Sequence, residues 1–444
     1  MESLPGTLDV WGQLPRMKGY THLALCFPHP KHTTQETITN ALEAATRRIT
    51  TALPWIGGVV LHTGAEPGNS GQFTISRNQH TDTILRVQDR TTTGPAFNDI
   101  LRSNAASRFL DQSWFSKESS LPDSYTDTEN SPAPVLTLTA TFIPDGIVLD
   151  CAAQHNILDM GGIDQFFRLL ASALSEQDFE PRVIEVNSLD RGSIFPLLGP
   201  HEKPLDHSAM RCPSSLTPAL RPPPPPGAQP GFHHFRFSAD TLAHLAKIAE
   251  TPSIDDALSA FIWSRLSTVR LNLGQSPDTI TGFSRAVDCR KTLGIPAEYM
   301  GVAVIKTYSS MPYQDLISST LSSIAAQLRA DVQRIRDAHF LRSLATVVAA
   351  EPDKSTFNFV RGFRPESWVN ASSWAGVDAY RLRFGGLGKP SFVGRPTSKP
   401  VQGLLYFLPR MEGGDVEVLL CLKEEEIEGL CADEVWRGRA EYIG

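Results

Sequence analysis

The sequence predicts an α/β protein built from two domains. The chain has 444 residues, more than a single hydrophobic core usually organises. Apolar runs with the two-residue period of strands alternate with segments of helical period, and this alternation restarts after a proline-rich stretch. We therefore predict an N-terminal domain at residues 1–210, a linker at 211–231 and a C-terminal domain at 232–444, each with mixed strands and helices.

The N-terminal domain is predicted to open with a buried strand at residues 20–27. A helix follows, because Thr33 and Glu36 have the spacing of a capping box. Residues 116–134 are rich in Ser, Asp, Thr and Pro and are predicted to form a mobile loop. Further strands are predicted at residues 59–60, 73–75 and 84–87.

The stretch from Val148 to Leu174 carries the clearest chemical signal. A Pro-Asp-Gly turn at residues 144–146 predicts a hairpin whose return strand ends near His155. Asp159 follows, and the apolar residues after it repeat at helical spacing. At the end of an apolar strand face, the His155 ring should be partly desolvated and therefore a neutral base.

His155 and Asp159 form a His-x-x-x-Asp pattern that can work without a metal. The histidine would remove a proton from a hydroxyl or amine nucleophile, and the aspartate would hold the loop and the ring in place. Two residue types at one spacing also recur by chance. The alternative is therefore an aspartate that caps a helix beside an ordinary hydrogen-bonded histidine.

The linker contains five prolines at residues 222–226, which predict a stiff, extended connector. A ligand for a proline-binding domain is the alternative. Beyond it, Ser238 and Ser253 are predicted to cap two helices, and residues 313–350 to be helical with a break near Ala338. Strands are predicted at residues 235–237, 280–283, 302–308, 368–374, 404–408 and 416–422, with a closing helix from Glu424.

Composition excludes several functional classes. The net charge of −7 argues against nucleic acid as a partner. The sequence contains no run of about 18 apolar residues, so no membrane span is predicted. The N-terminus lacks the layout of a signal peptide. The six cysteines have no metal-binding spacing and mostly lie in apolar runs, which is typical of reduced core residues. We therefore predict a cytoplasmic protein, as a monomer.

Five segments together resemble the motifs of the BAHD acyltransferases, in particular their fungal, trichothecene O-acetyltransferase-like branch. Each motif alone is weak, but their order and spacing cover most of the chain. They are Leu53–Gly58 for Leu-Pro-x-x-Ala-Gly, His155–Asp159 for His-x-x-x-Asp, Ser253–Arg265 for the interdomain helix, Asp288–Arg290 with Tyr299–Gly301 for Asp-x-Arg and Tyr-x-Gly-Asn, and Ser372–Trp374 with Gly386–Pro390 for the last motif.

The sequence departs from this family pattern in three places. Gln154 stands where the family often has a second histidine, and Val302 replaces an asparagine. Residues 383–388 lack the Asp and Trp of the Asp-Phe-Gly-Trp-Gly motif. Since the resemblance implies that this Asp pairs with the Arg of Asp-x-Arg, Arg290 should pair elsewhere, with Asp288 or a CoA phosphate.

The resemblance implies a fold of two chloramphenicol-acetyltransferase-like domains with mixed sheets and an interdomain channel, with residues 383–403 crossing into the first domain. It implies acetyl-CoA or another acyl-CoA as co-substrate and a small-molecule alcohol as acceptor, with no permanently bound cofactor and no metal. His155 would be the general base, Asp159 would shape the loop through a buried ion pair, and Lys306 is a candidate partner for a phosphate. The candidate CoA-binding residues are Ser253, Arg290, Ser372, Ser373 and Trp374.

Two rival functions remain open at this point. A condensation-type or cyclising enzyme on the same scaffold would use His155 without CoA. A non-catalytic metabolite-binding protein would tolerate the altered motif at residues 383–388, although an intact His155 and Asp159 argue against it. Dependence on CoA separates the first rival from acyl transfer.

Overall fold

Two β-sheets, one in each half of the chain, dominate the fold. The structure is a computed structural model that describes residues 8–79, 83–103, 107–110, 112, 118, 121, 133–212, 229–359, 363–396 and 399–444. The predicted mobile loop at 116–134 lies almost entirely outside these ranges, and so does the proline run at 222–226.

The sheet of the N-terminal half has five strands in the order β12-β1-β7-β6-β4, where β12 is Phe392–Gly394. Most neighbours are antiparallel, but β4 and β6 are parallel, so the sheet is mixed. A separate small sheet has the order β3-β2-β5. The strands of this half are β1 Tyr20–Pro28, β2 Val59–Glu66, β3 Asn69–Ser76, β4 Leu85–Asp89, β5 Ala133–Pro134, β6 Leu136–Ile143 and β7 Gly146–Gln154.

Helices cover one face of the five-stranded sheet. The first and third helices pack against each other, and both contribute to the main hydrophobic core of this half. Their apolar residues recur at helical spacing, but only the first helix exposes its opposite side; in the third helix only Gly161 is exposed. The helices of this half are α1 Gln35–Ala52, α2 Phe97–Arg102, α3 Met160–Leu174 and α4 Pro181–Asn187.

The C-terminal half holds a seven-stranded mixed sheet in the order β10-β9-β11-β13-β14-β8-β15. The strand β11 is parallel to both of its neighbours, and the other pairs are antiparallel. Its strands are β8 Gly231–Phe237, β9 Ile280–Asp288, β10 Val304–Pro312, β11 Trp368–Ser373, β13 Leu404–Phe407, β14 Val416–Leu422 and β15 Glu441–Tyr442. Its helices are α5 Ala239–Ile248, α6 Ile254–Asn272, α7 Arg290–Leu293, α8 Tyr313–Ser318, α9 Leu321–Ile335, α10 Ala338–Ala350, α11 Glu424–Ala432 and α12 Glu434–Arg437.

The two halves exchange segments. Strand β12, Phe392–Gly394, pairs antiparallel with β1 and so extends the N-terminal sheet. Tyr380 and Phe384 belong to the same hydrophobic core as the helix α3. In the other direction, the buried Trp11 packs with core residues of the C-terminal half such as Val287. The halves are therefore joined by chain crossing as well as by surface contact.

Two predictions of where helices begin and end were wrong. The first helix is capped by Thr34, whose hydroxyl accepts from the Thr37 amide, and not by Thr33. The predicted helix over residues 313–350 has a second break, because Ser319 and Thr320 have extended backbone and Thr320 caps the next helix. A Ser/Thr hydroxyl competes with the helix for backbone amides, which favours such a restart.

Candidate active site

His155 is held at the end of β7, where the strand turns toward α3. The backbone amide of His155 donates to the Gly19 carbonyl (2.8 Å), which fixes the turn to the start of β1. The amides of Ile157 and Leu158 both donate to the Gln154 carbonyl (2.9 Å each) and close the turn. The His155 side chain is partly buried and lines a cavity between the two halves of the chain.

The electrostatic environment keeps the His155 ring neutral. Burial lowers the pKa of His155, the negative charge of Asp159 opposes this, and the positive charge of Lys306 lowers the pKa further. The net result is a pKa below the ordinary imidazole value, so the ring is a base at neutral pH. This agrees with the environment predicted from the strand pattern.

Asp159 is buried and binds three donors. It caps α3, because its Oδ1 accepts from the Gly162 amide (3.0 Å). The same oxygen accepts from Arg290 Nη2 (2.8 Å), and Oδ2 accepts from the Ala303 amide (3.0 Å). Two of these donors belong to the C-terminal half, so the carboxylate ties the turn that carries His155 to that half. The predicted buried ion pair of Asp159 is confirmed.

Arg290 is the partner of Asp159, and its contact with a CoA phosphate stays a prediction. Its Nε donates to the Tyr299 carbonyl (3.0 Å), its Nη2 also donates to the Gly301 carbonyl (2.7 Å), and its Nη1 donates to Asp288 (3.1 Å). Burial alone would lower the pKa of Arg290, but the two carboxylates outweigh burial and raise it. Four of its five N–H groups donate within the protein, so Arg290 has carboxylate partners without the missing Asp of residues 383–388.

The cavity that contains His155 has a volume of about 520 Å³ and walls from both halves. The N-terminal wall includes the turn from His155 to Gly161 and the segment Tyr20–Thr21. The C-terminal wall is the face of the seven-stranded sheet that points away from its helices. Side chains on this face include Ala286, Val304, Lys306, Asn370, Ser372, Leu404 and Tyr406.

The motif Ser372-Ser373-Trp374 lies at the end of β11 and lines this cavity. Trp374 Nε1 donates to Ser372 Oγ (3.0 Å), so the serine oxygen accepts and its own O–H remains able to donate. The indole of Trp374 also packs against Tyr406, with the ring centres 5.0 Å apart. This wall thus combines aromatic surface with one oriented hydroxyl.

Ser253 caps α6 and does not belong to the cavity wall that the structure describes. Its Oγ accepts from the Asp256 amide (3.2 Å), which is the ordinary role of an N-cap serine. The neighbouring Asp256 binds Arg285 (2.6 Å) within the protein. The geometry at Ser253 gives no indication of a phosphate site.

Several cavity residues were not found from the sequence. Arg395 lies 4.6 Å above the Tyr406 ring, and residues 357–359 close another side. Asn370 shares a strand face with Ser372 two positions later, so strand alternation could have identified it. Arg395 reaches the cavity because it follows the crossing strand β12, and no local sequence pattern predicts this position. Within the described ranges there is no group of three or more His, Cys, Asp or Glu side chains placed to hold a metal.

None of the helices in the described part of the chain is both long enough and apolar enough to span a bilayer.

Comparison with known families finds two matches. Residues 114–434 match the Transferase family. Residues 20–174 match the trichothecene 3-O-acetyltransferase-like N-terminal domain. The two matches overlap at residues 114–174, which include His155 and Asp159.

Curated relatives match over their full lengths. O-acyltransferase pigD of Monascus ruber is 40% identical over 100% of both chains. O-acetyltransferase epaC of Aspergillus niger is 38% identical over 98% of this chain and 96% of its own. Trichothecene 3-O-acetyltransferase TRI101 of Fusarium sporotrichioides is 32% identical over 98% of this chain and 97% of its own.

Solved structures agree with the fold described above. The crystal structure of F. sporotrichioides TRI101 complexed with coenzyme A and T-2 has a TM-score of 0.88 and 31% identity, covering 99% of this chain and 100% of its own. F. graminearum TRI101 complexed with ethyl coenzyme A has a TM-score of 0.90 and 29% identity, with 100% of both chains covered. A condensation domain of an antibiotic synthetase, at 11% identity and a TM-score of 0.56, shares the fold alone.

Proposed function

Because the chain belongs to the Transferase family of BAHD acyltransferases, we propose that it transfers an acyl group from acyl-CoA to a hydroxyl of a fungal secondary metabolite. Acetyl is the group that the names of most relatives indicate. The observation that carries the proposal is a neutral, partly buried His155 in a cavity walled by both halves of the chain.

The chemistry follows from the position of His155. The acceptor hydroxyl would lie within hydrogen-bond reach of the ring. His155 takes its proton while the oxygen attacks the thioester carbonyl, and a tetrahedral oxyanion forms. The carbon–sulfur bond then breaks, and the CoA thiolate receives the proton from His155. General-base assistance of this kind contributes roughly 10²–10⁴-fold in rate.

Asp159 acts on this chemistry indirectly in our proposal. Its carboxylate is occupied by Gly162, Arg290 and Ala303, so it is not free to share a proton with His155. It holds the turn that carries His155 against the sheet that carries the rest of the cavity. We therefore assign Asp159 and Arg290 as positioning residues, and His155 as the catalytic residue.

The co-substrate side of the cavity is assigned by side-chain chemistry. We propose that Ser372, Ser373 and Trp374 line the pantetheine arm of acyl-CoA, because they present hydroxyls beside an aromatic surface. Both cavity walls come from one chain, which supports a monomer as the active unit. Six free cysteines, four of them buried, support a reducing compartment such as the cytoplasm.

The experiment is an acyl-transfer assay with acetyl-CoA and a panel of hydroxylated fungal metabolites. The reaction is measured by the release of the CoA thiol and by the mass of the product. The wild-type enzyme should form an acetyl ester, and His155→Ala should lower turnover by roughly 10²–10⁴-fold with acetyl-CoA affinity retained. His244→Ala is the matched control, because His244 is exposed on α5.

Each rival predicts a different outcome of this assay. Product formation without acyl-CoA would favour the condensation-type or cyclising reaction. Metabolite binding with no turnover by the wild-type enzyme would favour the binding protein. A His155→Ala variant with nearly full turnover would remove His155 from the proposed mechanism while leaving the acyl transfer itself in place.

A further inference from the structure

Lys306 is a charged side chain inside the cavity that the mechanism above does not use. It lies on β10 opposite Ala286 of β9, and both residues line the cavity. Its Nζ donates to Asn370 Oδ1 (2.8 Å) and to the Ala371 carbonyl (3.0 Å). Asn370 Oδ1 also accepts from Ser284 Oγ (2.9 Å), so the ammonium is anchored in a fixed position on the sheet.

Within the described part of the chain, the charge of Lys306 has no counter-charge. No carboxylate of the described residues lies within 4.0 Å of its Nζ, although the acidic residues of the cavity wall have basic partners. Asp159 and Asp288 bind Arg290, and Asp164 binds Arg168. Both groups that accept from Lys306 are neutral. An ammonium has three N–H donors, and two of them are used.

The third N–H of Lys306 can donate to the oxygen of a ligand in the cavity, and the neighbouring groups restrict where that oxygen would lie. The charge of Lys306 lowers the pKa of His155, so Lys306 lies within electrostatic reach of the base. When His155 takes a proton, two neighbouring cations would oppose each other. An oxygen with negative charge near Lys306 removes that opposition. The acceptor is the substrate whose hydroxyl meets His155, so the acceptor is the nearest source of such an oxygen.

We propose that Lys306 determines acceptor specificity by binding an anionic or strongly polarised oxygen, such as a phenolate or enolate, that the acceptor carries beside the hydroxyl to be acylated. This inference rests on the proposed acyl transfer and narrows its substrate class. Simple aliphatic alcohols would leave the Lys306 charge unmatched in the cavity and should be poor acceptors.

The pH dependence of this binding follows from the groups around Lys306. Burial lowers the pKa of Lys306 to about 8. Below that pH the ammonium binds the anion, and above it the amine does not. Among the described residues, the other titratable or charged groups that face the cavity are His155, Tyr20, Tyr406, the Asp159–Arg290–Asp288 cluster, Asp164, Arg16 and Arg395. Since burial and Lys306 lower the pKa of His155, His155 titrates in a more acidic range than Lys306.

The test uses 4-nitrophenol as the probe, because absorbance separates its phenolate from its neutral form. The wild-type enzyme should bind the phenolate preferentially, and this preference should fall as the pH rises through about 8. Lys306→Met should weaken phenolate binding by about 10- to 100-fold, the range of one charge-assisted hydrogen bond. Lys306→Arg should retain part of the preference. The control Lys247→Met, exposed on α5, should behave as wild type.

Kinetics separates this role from two others. Lys306→Met should raise the KM for acceptors that carry a phenol or enol and leave the KM for acetyl-CoA unchanged. A raised dissociation constant for acetyl-CoA would make Lys306 a phosphate partner and overturn the inference. An equal fall in kcat for every acceptor, with unchanged phenolate binding, would make it an oxyanion donor and also overturn it.

The folded state and the proposed function are checked separately. Circular dichroism checks whether Lys306→Met folds. If the variant does not fold, the pH dependence of phenolate binding to the wild-type enzyme tests the inference. Equal phenolate binding by wild type and a folded Lys306→Met would overturn the inference alone. Failure of the wild-type enzyme to transfer any acyl group would instead overturn the proposed function on which the inference depends.

Discussion

Replacing Asp159 with asparagine should destabilise the fold as well as slow the reaction. The carboxylate is buried and accepts from Arg290, Gly162 and Ala303. An asparagine of the same shape has one oxygen, and its amide nitrogen would face a donor on one side. At least one buried donor is then left without an acceptor, which costs about 1–3 kcal/mol.

The loss of charge adds to this cost. Arg290 would keep only Asp288 as a counter-charge, and that side chain is 55% exposed. Breaking one side of a buried ion pair costs about 3–5 kcal/mol. We therefore expect Asp159→Asn to lower the free energy of unfolding by about 3–5 kcal/mol, with the two contributions overlapping.

The measurement is urea unfolding followed by tryptophan fluorescence, with midpoints compared under identical conditions. At a slope of about 3 kcal/mol per molar urea, the expected loss moves the midpoint by about 1 M or more. Asp288→Asn is the matched control, because it removes a charge from the same arginine at an exposed position and should cost no more than about 1 kcal/mol. An unchanged midpoint for Asp159→Asn with lost turnover would refute the positioning role and make Asp159 a direct participant in catalysis.

Three further predictions follow from the site. The rate should rise with pH through one ionisation below the ordinary imidazole value, since only neutral His155 is a base and burial lowers its pKa; a rate limited by a group that titrates above this value would contradict it. Gly162→Ala should sharply reduce soluble yield, because a Cβ there would lie 2.1 Å from the Met300 carbonyl oxygen; Gly413→Ala, with open space around it, is the control, and equal yields would show that the contact can relax. Ser253→Ala should lower stability by about 0.5–2 kcal/mol through the lost cap with acetyl-CoA affinity unchanged, and weaker acetyl-CoA binding would return Ser253 to a phosphate role.

The parts of the site that could be predicted from the sequence are those fixed by local rules. The hairpin turn, the end of β7 and the cap of α3 depend on neighbouring residues, so His155 and Asp159 were found with their surroundings. The predicted N-cap of α1 was wrong by one residue. Thr33 and Thr34 are both suitable N-caps, and only the backbone conformation decides between them.

Contacts between distant segments were not predictable in the same way. Arg290 and Asp159 are separated by 131 positions, and nothing local to Arg290 shows that its partner lies in the other half. The expectation that it binds Asp288 was correct, but it omitted the buried partner Asp159. Arg395 reaches the cavity only because β12 crosses to the first sheet, which depends on the complete topology.

The pairing of β12 with β1 limits how this protein can be divided. Without Phe392–Gly394, the outer edge of β1 at Ala24–Cys26 would present unpaired backbone groups, and such edges promote association between chains. A fragment that stops at the linker would therefore be prone to aggregate. A chimera that joins the first half of one relative to the second half of another would bring a foreign β12 onto a resident β1. The success of such recombination should depend on the match at this three-residue edge as much as on the cavity itself.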